Sequence, residues 1–250
     1  MAALADFSYP LVLKPDTGER GQGVAIIKDE AAAKTYVDDC PDDIIVQEFI
    51  PGEELGILYR RHPDDEVGTI TSITKKKPTT VIGDGMRTIE LLILDCPRAV
   101  CSAKFFLKKH AARLDEVPAA GERVELSELG THARGALFLD GADLLTDELS
   151  GKIDALSKSF PGFHLGRYDL RMDGTELKVI ELNGITSEPA HIYDPRHGFI
   201  YAVRTLCDHW RSAFEIGAAN RKRGTKPCSL ASLLKLLFQV LNREKWEAPR

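Results

Sequence analysis

The stretch GRYDLRMDGTELKVIELNG at residues 166–184 limits what this chain can fold into more than any other. Residues 165–171 and 177–182 are predicted strands, and Met172-Asp173-Gly174-Thr175 between them is a turn signal. Asp169 falls near the end of the first strand, and Glu181 and Asn183 close the second. Residues two apart on a strand share a face, so Glu181 and Asn183 point the same way and can converge with Asp169 across the hairpin. Two carboxylates and an amide oxygen make a hard, oxygen-only ligand set, suited to Mg²⁺ or Mn²⁺ rather than zinc. A polar-faced surface hairpin would account for the same pattern in isolation. Arg167 tips the reading, because two residues before Asp169 it brings a guanidinium fork for phosphate to the same face. The run after Asn183 holds Gly184, Thr186, Ser187, His191, Tyr193 and Asp194. It is too polar for a buried connection and too long for a tight turn. It reads as a substrate-facing loop, with Ser187 and His191 its foremost candidates.

At 250 residues the chain is long enough for one large domain or two smaller subdomains around a real core. Its 43% hydrophobic and 28% charged fractions are those of an ordinary globular protein. A net charge of −5 carries no global basic signal, so neither nucleic acid nor a membrane surface is expected as a partner. The five cysteines, Cys40, Cys96, Cys101, Cys207 and Cys228, are scattered without a CxxC, and residues 1–10 do not read as a signal peptide. Reduced thiols in the cytoplasm are the expectation.

Residues 9–14 (YPLVLK) form a short buried strand that ends in Lys14. Gly18, Gly21 and Gly23 then fall within six residues, and a strand resumes at 24–27, with a helix only at 29–37. A dinucleotide-binding turn or a P-loop would feed directly into a helix. A glycine loop inside a hairpin can instead fold over phosphates with its N–H groups, while Arg20 or Lys14 supplies charge. A plain flexible hairpin is the competing reading. Strands follow at 44–49 (IIVQEF) and 53–59, with Glu54 near the start of the latter. A further strand at 67–74 ends in Lys75-Lys76-Lys77, either a solvated end or, through one lysine, a group facing the same cleft as Lys14. The helix and these strands up to Lys75 are expected to form one α+β unit.

In order, KP…GxRGxGV, then VQEFIPGEE, then GRYDLR…VIELNG resemble the ATP-grasp superfamily of carboxylate–amine ligases. The likeness is to D-alanine–D-alanine ligases, cyanophycin synthetases and glutathione-synthetase-like enzymes, and it covers roughly residues 9–217. The resemblance implies an α+β ATP-grasp fold, in which two α+β subdomains clamp a nucleotide, and a ligase that uses ATP and Mg²⁺ (or Mn²⁺). By the same resemblance Lys14 contacts the α- and β-phosphates, and Gly18, Arg20, Gly21 and Gly23 belong to the mobile phosphate loop. Gln47, Glu48, Phe49 and Ile50 line adenine, largely through backbone, and Glu54 takes the ribose hydroxyls. Asp169, Glu181 and Asn183 match the metal ligands, and Arg167 matches the arginine that steadies the transferring phosphoryl group. Gln47 stands where such segments often begin with Glu; its amide oxygen can still accept from the adenine amino group. Lys75 completes the expected nucleotide contacts. Members of this superfamily normally carry a preceding α/β domain with a further nucleotide-contacting lysine. Only eight residues precede the first strand, so the chain is expected to be a core without that domain.

Residues 80–93 (TVIGDGMRTIELLI) are similar to a segment of cyanophycin-synthetase-like enzymes, with Leu91 in place of an acid. Thr88 is a candidate N-cap for a helix at 89–94, and a second helix is expected at 98–112 after Pro97. Leu129-Gly130-Thr131-His132-Ala133-Arg134-Gly135 is a polar loop before a short strand at 136–139, and His132 and Arg134 are candidates for gripping a substrate carboxylate or acyl-phosphate. A helix is predicted at 145–160, with Asp147 and Glu148 in its first turn. Another spans 198–217, with apolar positions at three- and four-residue steps. Arg221-Lys222-Arg223-Gly224 reads as a solvated linker. A terminal helix from Ser229 to about residue 244 has only a narrow polar stripe, too apolar to stand uncovered, so a second copy or a partner domain is expected over it. Its apolar run, near residues 230–241 and interrupted by Ser232, Lys235 and Gln239, is too short and polar to span a bilayer.

The expected organisation is an ATP-grasp subdomain with the phosphate loop at 1–78, one with the metal site at 79–217, a linker at 218–228 and the helix at 229–250. The expected activity is ATP-dependent joining of a small-molecule carboxylate to an amine through an acyl-phosphate; the alternative is a non-catalytic ATP-binding module, a truncated paralogue or one part of a larger assembly.

Overall fold

Alternation of apolar residues along the strands decides which face of each sheet is buried. The computed structural model describes residues 4, 6–17, 21–127, 136–174, 176–184 and 187–241, with side chains to 238. The chain falls into two units, Met1–Pro51 with Lys226–Arg250, and Gly52–Thr225.

The first unit holds β1 (Leu11–Pro15), β2 (Ala25–Ile27), α1 (Glu30–Asp39) and β3 (Ile44–Glu48), with the strands in the antiparallel order β2-β1-β3. Leu11 and Leu13 are fully buried and face Ala33 and Tyr36 of α1, with Leu4 and Ile27 completing the core. The Tyr36 hydroxyl donates to the Gly23 carbonyl at 2.6 Å, which pins the glycine loop to the helix. Gly21 and Gly23 both have positive φ (73° and 71°), a conformation other residues adopt only with strain. The Asp29 carboxylate accepts from the Ala32 N–H at 2.8 Å and caps α1.

The second unit is built on β4 (Glu53–Arg60), β5 (Thr69–Lys77), β6 (Thr80–Ile82), α2 (Ile89–Asp95), α3 (Ala103–Lys109), β7 (Arg123–Glu125), β8 (Leu137–Asp140), α4 (Asp147–Lys158), β9 (Leu165–Asp173), β10 (Glu176–Asn183) and α5 (Phe199–Lys222). Five strands form one antiparallel sheet in the order β10-β9-β4-β5-β8. This corrects the grouping expected from the sequence, since β4 and β5 pair with β8 and β9 rather than joining β1–β3. Gly52, where the chain turns into β4, has φ +101°, and a Cβ there would lie 2.3 Å from the Met172 carbonyl oxygen, so only glycine fits. One face of the sheet carries Leu55, Ile57, Tyr59, Ile73, Tyr168 and Leu170, packed on Leu149 and Ile153 of α4. Each such side chain contributes about 1.5–3 kcal/mol on burial. Thr146 caps α4 through the Leu149 N–H, with Asp147 and Glu148 in the first turn and Lys158 in the last, all suited to the helix dipole.

A smaller core forms where β6 pairs with β7, a pairing the sequence did not announce, and α2 and α3 cover it with Ile89, Leu92, Ile93 and Phe106. Thr88 caps α2 as expected. The single helix expected at 98–112 is broken into α3 between two 3-10 turns, because Ser102 leaves helical geometry (φ −122°, ψ 24°) and the His110 ring is drawn to the Leu126 carbonyl at 3.1 Å.

The helix expected to end at 217 continues through Lys222, so Arg221 and Lys222 form its last turn rather than a linker. Its apolar stripe also faces outward: Ile200, Trp210 and Phe214 are exposed, while His209, Ser212, Ala213 and Ile216 are buried. On the inward face Arg60 donates to Ser212 Oγ and Ser212 Oγ donates to the Asp208 carbonyl at 2.9 Å, whereas His209 Nε2 is buried with no hydrogen-bond partner among the described residues. Helix α6 (Leu230–Leu241), in the first unit, exposes Leu230, Leu233, Leu234, Leu236, Leu237 and Phe238. Among the described residues no helix is long and apolar enough to cross a membrane, and all five cysteines are free.

Candidate functional site

On the five-stranded sheet of the second unit, the face opposite the α4 core is polar. Register places Gly56 beside Asp169, Glu54 beside Arg171 and Lys76, Glu181 opposite Asp169, and Asn183 opposite Arg167. Alternation therefore sets Glu54, Lys76, Arg167, Asp169, Arg171, Glu181 and Asn183 on one side. Asp169 lies in the middle of β9 rather than near its end, and the hairpin strands each run one or two residues longer than expected.

Asp169 is the hub. Its Oδ1 accepts from Arg167 Nε at 2.9 Å, and its Oδ2 accepts from Arg167 Nη2 and Asn183 Nδ2 at 3.3 Å each, with Lys76 Nζ at 3.1 Å. Lys76 Nζ also donates to Glu54 Oε1 at 3.1 Å, and Arg171 Nη2 lies 3.6 Å from Glu54 Oε2. The Lys76 side chain is only 8% exposed, so both its carboxylate partners are needed to hold its charge there. Glu181 is exposed. At Gly56 these side chains close over the backbone: a Cβ there would sit 3.4–3.6 Å from Arg167 Cδ, Asp169 Oδ1 and Lys76 Cε, ordinary van der Waals contact. Thr74, across from Gly56 in the register, has a buried hydroxyl that makes no hydrogen bond among the described residues.

The expected lysine is corrected. Lys75 points to the opposite side, where its ammonium donates to both carboxylate oxygens of Asp143 at 2.8 and 2.6 Å; the lysine on the site face is Lys76. Only strand alternation from Glu54 could have singled it out, and that required knowing that β4 and β5 pair.

Ser187 and His191 are also placed differently from expectation. Ser187, Pro189, Ala190, His191, Ile192 and Asp194 are all buried. The polar segment can be buried because other parts of the chain satisfy its polar groups. His191 Nδ1 shares a hydrogen bond with Ser72 Oγ at 2.6 Å, and its Nε2 with the Tyr201 hydroxyl at 2.9 Å. Asp194 accepts from Arg196 and from the Asp140 N–H at 2.7 Å, and His197 meets Asp140 at 2.8 Å. The Arg196 guanidinium holds the Asp194 carboxyl well below the usual carboxylate range.

Burial pushes His191, His164 and His209 below the usual histidine value, in each case as the largest cause. The unfolded chain takes up these protons near pH 6.5, the folded chain only at lower pH, so protonation between those values favours unfolding. The denaturant midpoint is therefore expected to fall as pH drops from 7.5 to 5.5, well above the range in which carboxylates titrate. An unchanged midpoint over that interval would contradict this burial.

In the first unit Lys14 pairs with Ile45, and Gln47 with Val12, which sets both side chains on the face away from Leu11 and Leu13. Glu48 ends β3, and Phe49 and Ile50 follow it. Gly21 and Gly23 shape the loop after β1. Gly18, Arg20, His132 and Arg134 lie outside the described residues.

The donor set fits a hard divalent cation in chemistry, with Asp169 and Glu181 as carboxylates and Asn183 as an amide. Among the described residues no group of three His, Cys, Asp or Glu is placed to hold a metal. The three cations beside these carboxylates suit a polyphosphate, since a lysine and two arginines share one face of the sheet.

No family model matches the chain. A glutathione biosynthesis bifunctional protein of Listeria welshimeri is 24% identical over 152 residues, 52% of this chain and 19% of that protein. A D-alanine–D-alanine ligase of Pediococcus pentosaceus is 41% identical over 54 residues, 20% of this chain and 15% of the relative. Among solved structures, a D-alanine–D-alanine ligase of Bacillus anthracis superposes with a TM-score of 0.50 at 14% identity, over 90% of this chain and 59% of the other. A bifunctional glutathione synthetase of Pasteurella multocida gives 0.47 at 18% identity, over 86% and 32%. The chain thus spans under two thirds of each of these proteins. The likeness to the Bacillus anthracis structure is one of fold.

Proposed function

We propose that this chain, an ATP-grasp protein by its fold, is an ATP- and magnesium-dependent ligase that joins a small-molecule carboxylate to an amine. The observation that carries the reading is the face on which Lys76, Arg167 and Arg171 surround Asp169 and Glu54. In the proposed reaction a substrate carboxylate oxygen attacks the γ-phosphorus of ATP, giving an acyl-phosphate and ADP. The amine then attacks the acyl carbon, inorganic phosphate leaves, and the nitrogen gives up a proton to complete the amide.

Arg167 and Lys76 stabilise charge on the phosphoryl oxygens during transfer, a task that needs fixed cations more than covalent chemistry. Asp169 pre-positions both before substrate arrives, and Arg171 does the same for Glu54, to which the ribose hydroxyls are assigned. Asp169, Glu181 and Asn183 would hold magnesium, which supplies further positive charge against the phosphates. Lys14, Gly21, Gly23 and the Gln47–Ile50 segment carry the remaining nucleotide contacts in this proposal. Five free cysteines support a cytoplasmic setting.

A second reading rests on one observation. Both Asp169 oxygens are already satisfied by Arg167, Lys76 and Asn183, so the cluster is stable without a ligand. That is what a non-catalytic nucleotide-binding module would also look like. Thermal stability measured with and without ATP and Mg²⁺, beside ADP release over a panel of carboxylates and amines, separates the two. The ligase predicts stabilisation together with ADP release that requires both substrates. Stabilisation with no turnover on any pair would favour the module, and no stabilisation at all would contradict both.

A further inference from the structure

The outward face of α5 carries Ile200, Val203, Cys207, Trp210 and Phe214 at steps of three, four, three and four, the spacing of a helix-pairing seam. All five are exposed, Phe214 at 76% and Ile200 at 66%. With Phe199 they leave on the order of 500 Å² of contiguous apolar surface, at the upper end of what a monomer leaves bare and most of what each partner brings to a standard interface.

One residue beyond the seam runs a charged stripe: Arg204, Asp208, Arg211 and Glu215. Its signs alternate, and its positions are symmetric about a point between His209 and Trp210. Reversed end to end, the stripe sets Arg204 against Glu215 and Asp208 against Arg211. We infer that α5 is an isologous dimer interface, on which a second copy of this chain packs antiparallel. A two-fold axis perpendicular to the helices brings the two charged stripes together along one side of the seam, so every cation meets an anion. Trp210 then sits at the axis beside its own copy, and Phe214 enters between Val203 and Cys207 of the other helix. In the single chain Arg211 lies 3.5 Å from Asp208, an exposed pair that is readily exchanged for partners across the interface. A parallel pairing would set the two charged stripes on opposite sides of the seam, where they would not meet.

Sedimentation of the whole chain without nucleotide tests this independently of the ligase reading. The wild type should be a dimer at about 100 µM, with micromolar or tighter affinity. Asp208→Arg and Arg211→Asp should each weaken the dimer at least tenfold, because every substitution is met twice, and the double variant D208R/R211D should recover it. Phe214→Asp should give a monomer with unchanged far-UV circular dichroism, its melting temperature lowered only by the loss of association. A monomeric wild type would assign the face to some other partner and overturn the inference, as would a dimer indifferent to Phe214→Asp or a charge swap that fails to restore association.

Discussion

Asp169→Asn is expected to reduce ATP turnover on the order of 10³-fold or more, the scale seen when one charged group of a preorganised site is lost. The substitution removes the hub charge that holds Arg167 and Lys76 and the carboxylate assigned to the metal, while keeping shape and hydrogen-bonding capacity. Asparagine can still accept from Arg167 and meet Asn183, so the strand pairing of β9 with β4 and β10 should persist. Turnover and far-UV circular dichroism measured on the same sample give the check. A variant with native structure and near-native turnover would remove Asp169 from the chemistry.

Asp154→Ala should cost about 3 kcal/mol of stability, from leaving two buried donors unsatisfied. The Asp154 carboxylate accepts from the Tyr59 hydroxyl at 2.7 Å and the Gly68 N–H at 2.8 Å, and it pairs with Lys158 at 2.6 Å. Burial raises its pKa, but Lys158, Tyr59 and Gly68 together outweigh that and hold it below the usual aspartate value. Its contribution is accordingly present above about pH 4 and lost as pH falls through the depressed folded value. For a unit of this size, 3 kcal/mol corresponds to a melting temperature lower by roughly 6–12 °C. Asp154→Asn, which keeps an acceptor, should lose less than half as much. An alanine variant as stable as the wild type would show that the hub is decorative.

The local signals in the sequence were strong wherever chain neighbours decide the structure. Thr88 caps α2 because it precedes an apolar run, and the 166–184 hairpin forms around its Asp-Gly turn. Two-residue spacing puts Arg167 with Asp169 and Glu181 with Asn183, but the register shift between Val179 and Glu181 is what sets the two pairs on one face. What pairing over long sequence distances decides was not legible. Lys75 and Lys76 are adjacent in sequence, and only the register of β5 against β4 sends one to Asp143 and the other to Asp169. Residues 187–194 looked too polar to bury, yet Ser72, Tyr201, Asp140 and Arg196 meet their polar groups from elsewhere in the chain. Likewise the apolar period of α5 marks the outward face, because Arg60 satisfies Ser212 on the inward one. Periodicity locates a stripe; it does not say what the stripe meets.

The direct test of the ligase account follows an oxygen atom. The full chain is incubated with Mg²⁺, ATP, a panel of amines and a panel of carboxylates labelled with ¹⁸O in both carboxyl positions, and the released phosphate is weighed by mass spectrometry. Attack by the carboxylate on the γ-phosphorus, followed by attack of the amine on the acyl carbon, leaves one substrate oxygen in the phosphate. The account predicts one ¹⁸O per phosphate released, with ADP and amide formed in equal amounts. Phosphate released without label, or protein that binds ATP and never forms ADP with any pair, would contradict it.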